Sequence, residues 1–119
     1  MRWQPPLPES LQRVRRHIEE HLGSELANPQ LARLAGLSEA GFNRSFKRHF
    51  GTTPAWYVIE TRVREAARLL LQTDETIEAI AEHTGFPNRA YFSRVFRKVT
   101  DEAPAGFRRK HRPQGQRAR

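Results

Sequence analysis

Two arginines, Arg44 and Arg94, stand at equivalent places in a sequence pattern that occurs twice in this chain. Each lies two residues before a phenylalanine and is followed by further basic residues. A guanidinium group is planar and can donate two hydrogen bonds together, to O6 and N7 of a guanine. The same group can instead hold a phosphate, because half or more of protein–DNA hydrogen bonds go to the backbone. Both chemistries remain open for each arginine.

The first copy of the pattern is centred on residues 38–50, SEAGFNRSFKRHF. Ser38 can cap a helix, because its hydroxyl accepts from backbone N–H groups that have no partner in the first turn. Phenylalanines then recur every four residues and share one helical stripe: Phe42, Phe46 and Phe50. Polar side chains point away from that stripe: Asn43, Arg44, Lys47 and Arg48. A helix with an aromatic inner face and a basic outer face, preceded by a glycine turn, is typical of a helix-turn-helix.

The second copy follows about fifty residues later. AEHTGF at 81–86 repeats ARLAGL at 32–37, and FSRVFRK at 92–98 repeats FNRSFKR at 42–48. The copies are 49 residues apart before the turn and 50 apart after it, so the second carries one extra residue there. Fewer than three copies argue against a solenoid. We interpret the pattern as one module used twice, presenting two similar helices.

The remaining periodicity predicts an all-α fold of about seven helices. Two helix-turn-helix subdomains, at 9–53 and 73–111, are joined by a long linker helix at 54–72. An arm at 1–8 precedes them, and we expect a basic, disordered tail at 112–119. In the first subdomain Asn28 is expected to cap the second helix, and Gly23 to end a first helix spanning residues 10–22. The last helix is expected over residues 104–109.

Composition limits the possible functions. The chain has 119 residues, no cysteine and a net charge of +8. Residues 1–84 carry 11 basic and 11 acidic side chains, whereas residues 85–119 carry 10 basic and 2 acidic, which supplies the excess. A localised basic surface favours nucleic acid first and an anionic membrane second. No apolar run approaches the roughly 20 residues of a membrane span, and there is no secretory leader, so we expect a cytoplasmic protein.

One competing signal is HIEEH at 17–21, which matches the H-x-x-E-H pattern of inverted zinc peptidases. Two histidines four residues apart share a helix face, but a zinc enzyme also needs a third ligand, an open coordination position and a cleft. We interpret this segment as a solvated helix face. The sequence therefore predicts no enzymatic activity, no metal and no cofactor.

The chain resembles the DNA-binding domain of the AraC/XylS family of bacterial transcription regulators over roughly residues 11–112. The most specific segment is YFSRVFRK at 91–98, together with Gly85, Phe86, Pro104 and Phe107. The first half matches at Ser38, Phe42, Phe46, Gly51 and Pro54, among other positions. The length resembles that of stand-alone members, which lack an effector-binding domain. The chain departs from the family in having Gly41 inside the first recognition helix and Asp101 in place of the usual glycine after the sixth helix.

The resemblance implies that the third and sixth helices enter successive major grooves on one face of the DNA. Carried over by position, the base-reading residues are Ala40, Asn43 and Arg44 in the first groove and Arg89, Ala90, Ser93 and Arg94 in the second. Asn43 could pair with adenine or remain solvated. We assign phosphate contacts to Ser38, Lys47, Arg48, Asn88, Arg97 and Lys98, with solvated charges as the alternative for those near the helix ends.

The expected function is sequence-specific, double-stranded DNA binding by a transcription regulator, an activator that contacts RNA polymerase, in the bacterial cytoplasm at the nucleoid. Two readers on one chain imply a monomer on an asymmetric site. Two alternatives stay open: a non-specific basic architectural protein, and the excised DNA-binding domain of a larger ligand-sensing regulator. A linker helix of about 18 residues is roughly 27 Å long, shorter than the roughly 34 Å between successive grooves. We hypothesise that the protein bends its site or that one motif engages poorly.

Overall fold

The computed structural model describes Trp3 and residues 6–112, and within them it contains seven α-helices and no strand. This confirms the predicted all-α fold. The helices are α1 (Glu9–Glu20), α2 (Asn28–Ala35), α3 (Glu39–Phe50), α4 (Pro54–Gln72), α5 (Ile77–His83), α6 (Arg89–Thr100) and α7 (Pro104–His111). The described residues form two compact units. The N-terminal unit comprises those up to His21 with Glu25–Val58, and the C-terminal unit comprises Leu22–Ser24 with residues 59–112.

Side-chain caps set the start of four helices. Ser38 accepts from the Gly41 N–H at 3.1 Å, Thr76 from the Ala79 N–H at 3.0 Å, and Asn88 from the Tyr91 N–H at 2.8 Å. Thr53 accepts from the Trp56 N–H at 3.2 Å at the start of α4. Each cap satisfies a donor that the helix itself leaves unpaired. The cap expected at Ser38 is confirmed.

Two helix ends differ from the prediction. Ala27, not Asn28, stands at the N-cap of α2, and no side chain caps that helix. The Asn28 side chain donates instead to Glu39 Oε1 at 3.4 Å. The first helix ends at Glu20 rather than at Gly23. Its end is fixed by His21, whose N–H donates to the Ile18 carbonyl and whose Nδ1 lies 2.8 Å from the His17 carbonyl.

Each unit has its own apolar core. In the N-terminal unit the large core side chains that are at most 1% exposed come from α1, α2 and α3: Leu11, Val14, Ile18, Leu31, Phe42 and Phe46. In the C-terminal unit the buried cluster comprises Val63, Ala66, Leu69, Leu70, Ile77, Ile80, Ala81, Phe86, Phe92 and Phe96. The predicted inner stripes of α3 and α6 are therefore the stripes that pack.

Arginine side chains also hold the backbone of the C-terminal unit. Arg62 Nε donates to the Leu22 carbonyl at 3.1 Å, and its Nη2 donates to the Ser24 carbonyl at 2.8 Å. Arg112 Nη2 donates to the Thr73 carbonyl at 3.0 Å. These two contacts are themselves repeated, because Ser24 and Thr73 are 49 residues apart and Arg62 and Arg112 are 50 apart. Desolvation by burial lowers the pKa of Arg62.

The end of α7 corrects the prediction for the tail. The helix continues to His111, two residues beyond the expected Arg109, and Arg112 is buried rather than disordered. The reason is hydrogen bonding, because Arg108 donates to the Leu70 and Thr73 carbonyls and Arg112 donates to Thr73 and Asp74. The rest of the predicted disordered tail, residues 113–119, lies outside the described residues.

The turns before α3 and α6 share one hydrogen-bond pattern. Gly36 and Gly85 have φ of 72° and 88°, a conformation that disfavours side chains. Leu37 N–H donates to the Ala32 carbonyl at 3.0 Å, and Phe86 N–H donates to the Ala81 carbonyl at 2.9 Å. Both turns therefore end a helix with the same reversal of chain direction. Their surroundings differ, since a Cβ on Gly85 would lie 2.2 Å from the Leu22 carbonyl oxygen, whereas one on Gly36 meets nothing within 4 Å.

We predict that Gly85→Ala destabilises the protein much more than Gly36→Ala. Both substitutions carry the left-handed strain of roughly 1–2 kcal/mol. Gly85→Ala adds overpacking of about 1–3 kcal/mol, because the new methyl group collides with Leu22 and with the Arg62 guanidinium. Urea unfolding of the two variants beside the wild type measures the difference. Equal losses of unfolding free energy would contradict the close approach at Gly85.

Candidate nucleic-acid interface

The helices that carry the predicted site are presented by the same local structure in both units. Each starts from a polar cap, Ser38 for α3 and Asn88 for α6. Each ends in a left-handed residue, Gly51 with φ 76° and Asp101 with φ 67°. Asp101 is the one non-glycine residue with positive φ in the described part of the chain. The departure from the usual glycine therefore leaves the helix end intact.

The inner faces of α3 and α6 match in ring geometry. The Phe42 and Phe46 ring centroids are 5.6 Å apart with planes at 61°. The Phe92 and Phe96 centroids are 5.5 Å apart, again at 61°. Edge-to-face pairs of this kind are worth about 0.5–1.5 kcal/mol beyond burial. Both rings of each pair are fully buried, so each helix turns this face toward the core of its own unit.

A ring from the following helix meets the second phenylalanine edge-on in each unit. Tyr57 lies 5.3 Å from Phe46 at 78°, and Phe107 lies 5.2 Å from Phe96 at 82°. Because the inner faces are locked in this way, the opposite faces of α3 and α6 are directed to solvent. The two units therefore pack their rings in the same way, and each exposes the outer face of one helix to solvent.

The structure places the sequence-predicted site residues on these outer faces. Exposed on α3 are Ala40, Asn43, Arg44, Lys47 and Arg48. Exposed on α6 are Arg89, Ala90, Arg94, Arg97 and Lys98, while Ser93 is half-buried. Neither Arg44 nor Arg94 is buried, so both guanidinium groups are available to a ligand. Ser38 and Asn88 are exposed, but their side-chain oxygens accept the cap bonds.

Two of the site arginines have partners within their own unit. Arg89 Nη1 lies 2.5 Å from Glu78 Oε1, and this hydrogen bond lowers the pKa of Glu78. The Arg94 guanidinium carbon lies 5.6 Å from the centre of the Tyr91 ring, within the range of a cation–π contact. These contacts restrict the two long side chains before any ligand arrives.

Four other cations of the two helices form no ion pair within the described part of the chain. Within Trp3 and residues 6–112, Arg44, Lys47, Arg48 and Arg97 have no ion-pair partner. Exposed cations without an ion-pair partner attract the phosphates of a nucleic acid and displace the counterions condensed around them. The outer faces of α3 and α6 therefore have the charge and the exposure that phosphate contacts need.

The sequence interpretation omitted one residue of this surface, Glu39. It is the first residue of α3 and is exposed, and its carboxylate accepts from Asn28. The repeat offset of 50 places Glu39 opposite Arg89, so the signal was present in the sequence. It was missed because an acidic residue in a first helical turn is common and stabilising.

The histidine motif of α1 does not assemble a site. His17 and His21 stack with centroids 4.2 Å apart and planes at 25°. Across Trp3 and residues 6–112, no three His, Cys, Asp or Glu side chains are grouped so as to hold a metal ion. No helix in this part of the chain has the length and apolar character to cross a membrane.

Comparison with known proteins identifies relatives of this arrangement. A family model described as a helix-turn-helix domain matches residues 31–110. The chain is 34% identical over 104 residues to the transcriptional activator NphR of Rhodococcus sp, which covers 87% of this chain and 31% of NphR. It is 37% identical over 93 residues to the HTH-type transcriptional regulator GlxA of Rhizobium meliloti, covering 78% of this chain and 29% of GlxA.

Solved structures share the fold over nearly the whole chain. The DNA-binding domain of the global transcriptional factor AdpA, solved in complex with a target DNA, matches with a TM-score of 0.84 at 32% identity. That match covers 89% of this chain and 98% of the AdpA domain. The C-terminal domain of the response regulator AraT from Geobacillus stearothermophilus matches with a TM-score of 0.88 at 27% identity, over 96% of this chain and 95% of that domain.

The chain is short beside the full-length relatives. Among eight curated proteins that it matches, it spans between 20% and 38% of the relative's length.

Proposed function

This chain belongs to the AraC/XylS family of transcription regulators, and from that premise we propose that it binds a specific, asymmetric site on double-stranded DNA as a monomer. In this proposal α3 and α6 enter successive major grooves. Arg44 and Arg94 each read a guanine through O6 and N7. Asn43 reads an adenine, and Ala40, Arg89, Ala90 and Ser93 complete the base-facing surface.

One observation carries the proposal: α3 and α6 present equivalent exposed arginines from the same packing arrangement. The phenylalanine pairs agree within 0.1 Å in centroid distance and share a 61° interplanar angle. Arg44 and Arg94 are exposed at corresponding positions. Neither arginine is buried, and the Arg94 guanidinium also lies 5.6 Å from the centre of the Tyr91 ring of its own helix. To read bases in the major groove, a guanidinium group must be exposed on a helix whose orientation is fixed by packing.

Phosphate contacts supply the remaining affinity in this proposal. We assign them to Lys47, Arg48, Arg97 and Lys98, which lie farther along the two helices. Ser38 and Asn88 contribute through the helix N-termini that they cap, where backbone N–H groups point outward. Contacts of this type position the protein without reading sequence.

We also propose that the bound protein activates transcription by contact with RNA polymerase in the bacterial cytoplasm. The support comes from relatives, since NphR and Btr of Bacillus subtilis are both named transcriptional activators. Btr is 30% identical over 103 residues, covering 87% of this chain and 20% of Btr.

A second candidate keeps the same site but assigns it to a larger protein. The chain spans at most 38% of the length of the eight curated relatives compared above, and the matched AraT structure is a C-terminal domain. This favours a DNA-binding portion of a regulator that senses a ligand elsewhere in its sequence. DNA recognition by α3 and α6 is common to both candidates.

The next experiment distinguishes sequence-specific binding from the alternative of a non-specific architectural protein. We predict that Arg44→Ala and Arg94→Ala each weaken binding to the specific duplex by about 1–3 kcal/mol and relax the preference at one base pair. Arg97→Ala, the matched control, should weaken binding to all duplexes alike and reduce the salt slope by about one. Fluorescence anisotropy against specific and random duplexes at several salt concentrations measures both effects.

A non-specific architectural protein would instead show equal affinity for specific and random duplexes in the same measurements. If the wild-type chain binds random and selected duplexes equally, sequence-specific recognition is rejected. If Arg44→Ala and Arg94→Ala behave as Arg97→Ala does, the two arginines are phosphate contacts.

The monomer and the long helix give a further prediction. We expect one chain for each short duplex in light scattering, because one chain already supplies two readers. We also expect a bent site in a circular-permutation gel, because α4 has 19 residues and is about 28 Å long against roughly 34 Å between grooves. A complex of two chains would contradict the first expectation. A straight duplex with both grooves protected would contradict the second.

A further inference from the structure

The reading faces of α3 and α6 correspond closely, with one reversal of charge. At an offset of 50 the outer positions pair as Ala40 with Ala90, Asn43 with Ser93, Arg44 with Arg94, Lys47 with Arg97 and Arg48 with Lys98. Every pair keeps its charge. The first residue of each helix does not, since α3 begins with Glu39 and α6 begins with Arg89. The two helices therefore differ in charge where they begin.

That position is suited to reading bases. In a helix-turn-helix the N-terminal residues of the second helix contact base edges. Glu39 and Arg89 are both exposed, and neither contributes to the core of its unit. A carboxylate accepts from the N4 amino group of cytosine, whereas a guanidinium donates to guanine. The two residues thus have opposite preferences within one base pair.

Both side chains are held in place by the preceding helix of their own unit. The Glu39 carboxylate accepts from Asn28 Nδ2 at 3.4 Å, and Asn28 is the first residue of α2. Arg89 donates to Glu78 at 2.5 Å, and Glu78 is in the first turn of α5. In each case the partner lies 11 residues earlier in the chain. A restrained side chain loses less conformational entropy when it binds.

Helix stability alone does not account for Arg89. An acidic residue in the first turn complements the positive end of the helix dipole, so Glu39 has a structural use. A cation at the same place opposes the dipole, and α6 nevertheless begins with Arg89. The structure offsets this conflict with the Glu78 ion pair rather than with a neutral residue. Local conflicts of this kind are expected where a residue serves function.

We infer that Glu39 and Arg89 are specificity-determining residues that make two helices of otherwise matched charge select different bases at their first position, cytosine for Glu39 and guanine for Arg89. This inference rests on the proposed function and names residues within its site. It implies that the two halves of the DNA site share the guanine read by Arg44 and Arg94. They differ at the base faced by the first residue of each helix.

The test is selection of bound sequences from a random duplex pool, followed by affinity measurement on duplexes changed at single positions. Glu39→Arg should change one preferred base in one half-site from cytosine to guanine, with about a tenfold swing in relative affinity. Arg89→Glu should make the reverse change in the other half-site. Glu39→Gln, which introduces no cation at the helix start, should shift the same first position toward adenine.

Matched controls separate base reading from net charge. Glu25→Arg and Arg109→Glu reverse exposed charges that lie outside α3 and α6. They should change affinity for all duplexes alike and leave the selected sequence unaltered. Circular dichroism and thermal melting of each variant verify that the fold is retained.

The outcomes are distinguishable from failure of the proposed function. If the wild-type chain enriches no sequence, sequence-specific binding is rejected and this inference is rejected with it. If the wild type enriches a sequence but all three variants at positions 39 and 89 enrich the same one, the proposed function survives and the inference is overturned. A change of base at the expected position in each variant supports it.

Discussion

The burial of two phenylalanines on one face of each helix is the constraint on which the candidate site depends. Phe42 and Phe46 in α3, and Phe92 and Phe96 in α6, are fully buried. Their spacing of four residues places both rings on one side of the helix, so the intervening polar residues must face solvent. Burying two large rings stabilises the fold by several kcal/mol. Exposing the basic side chains on the opposite face costs less, because water already solvates them. The core therefore orients the reading face.

The duplicated sequence builds the same local structure in both units, and a few substitutions make the two copies differ. The caps, the turns and the ring pairs are alike in the two units, and even the arginine-to-carbonyl contacts of Arg62 and Arg112 recur. The two copies differ at positions outside the matched ring pairs. Gly85 is pressed against Leu22 while Gly36 is open, and the first residues of α3 and α6 carry opposite charges. A repeated scaffold with altered rim residues suits a protein that reads two different halves of one site.

Much of this could be predicted from sequence, because the signals are local. The phenylalanine stripes, the Ser38 and Asn88 caps and the exposed arginines follow from helical periodicity and capping chemistry. What could not be predicted depends on backbone carbonyls brought close by the fold. Arg112 looked like part of a charged tail, and only the position of the Thr73 carbonyl shows that it is anchored. Asn28 looked like a cap, but the start of α3 lies within reach of its side chain.

In our proposal Arg44 and Arg94, on two similarly packed helices, read two grooves of one duplex. Methylation of guanine N7 should then interfere with binding, because a methyl group there blocks the second hydrogen bond from an arginine. We expect two groups of interfering guanines about one helical turn apart, one lost in Arg44→Ala and the other in Arg94→Ala. A single group of interfering guanines, or interference that neither substitution alters, would contradict it.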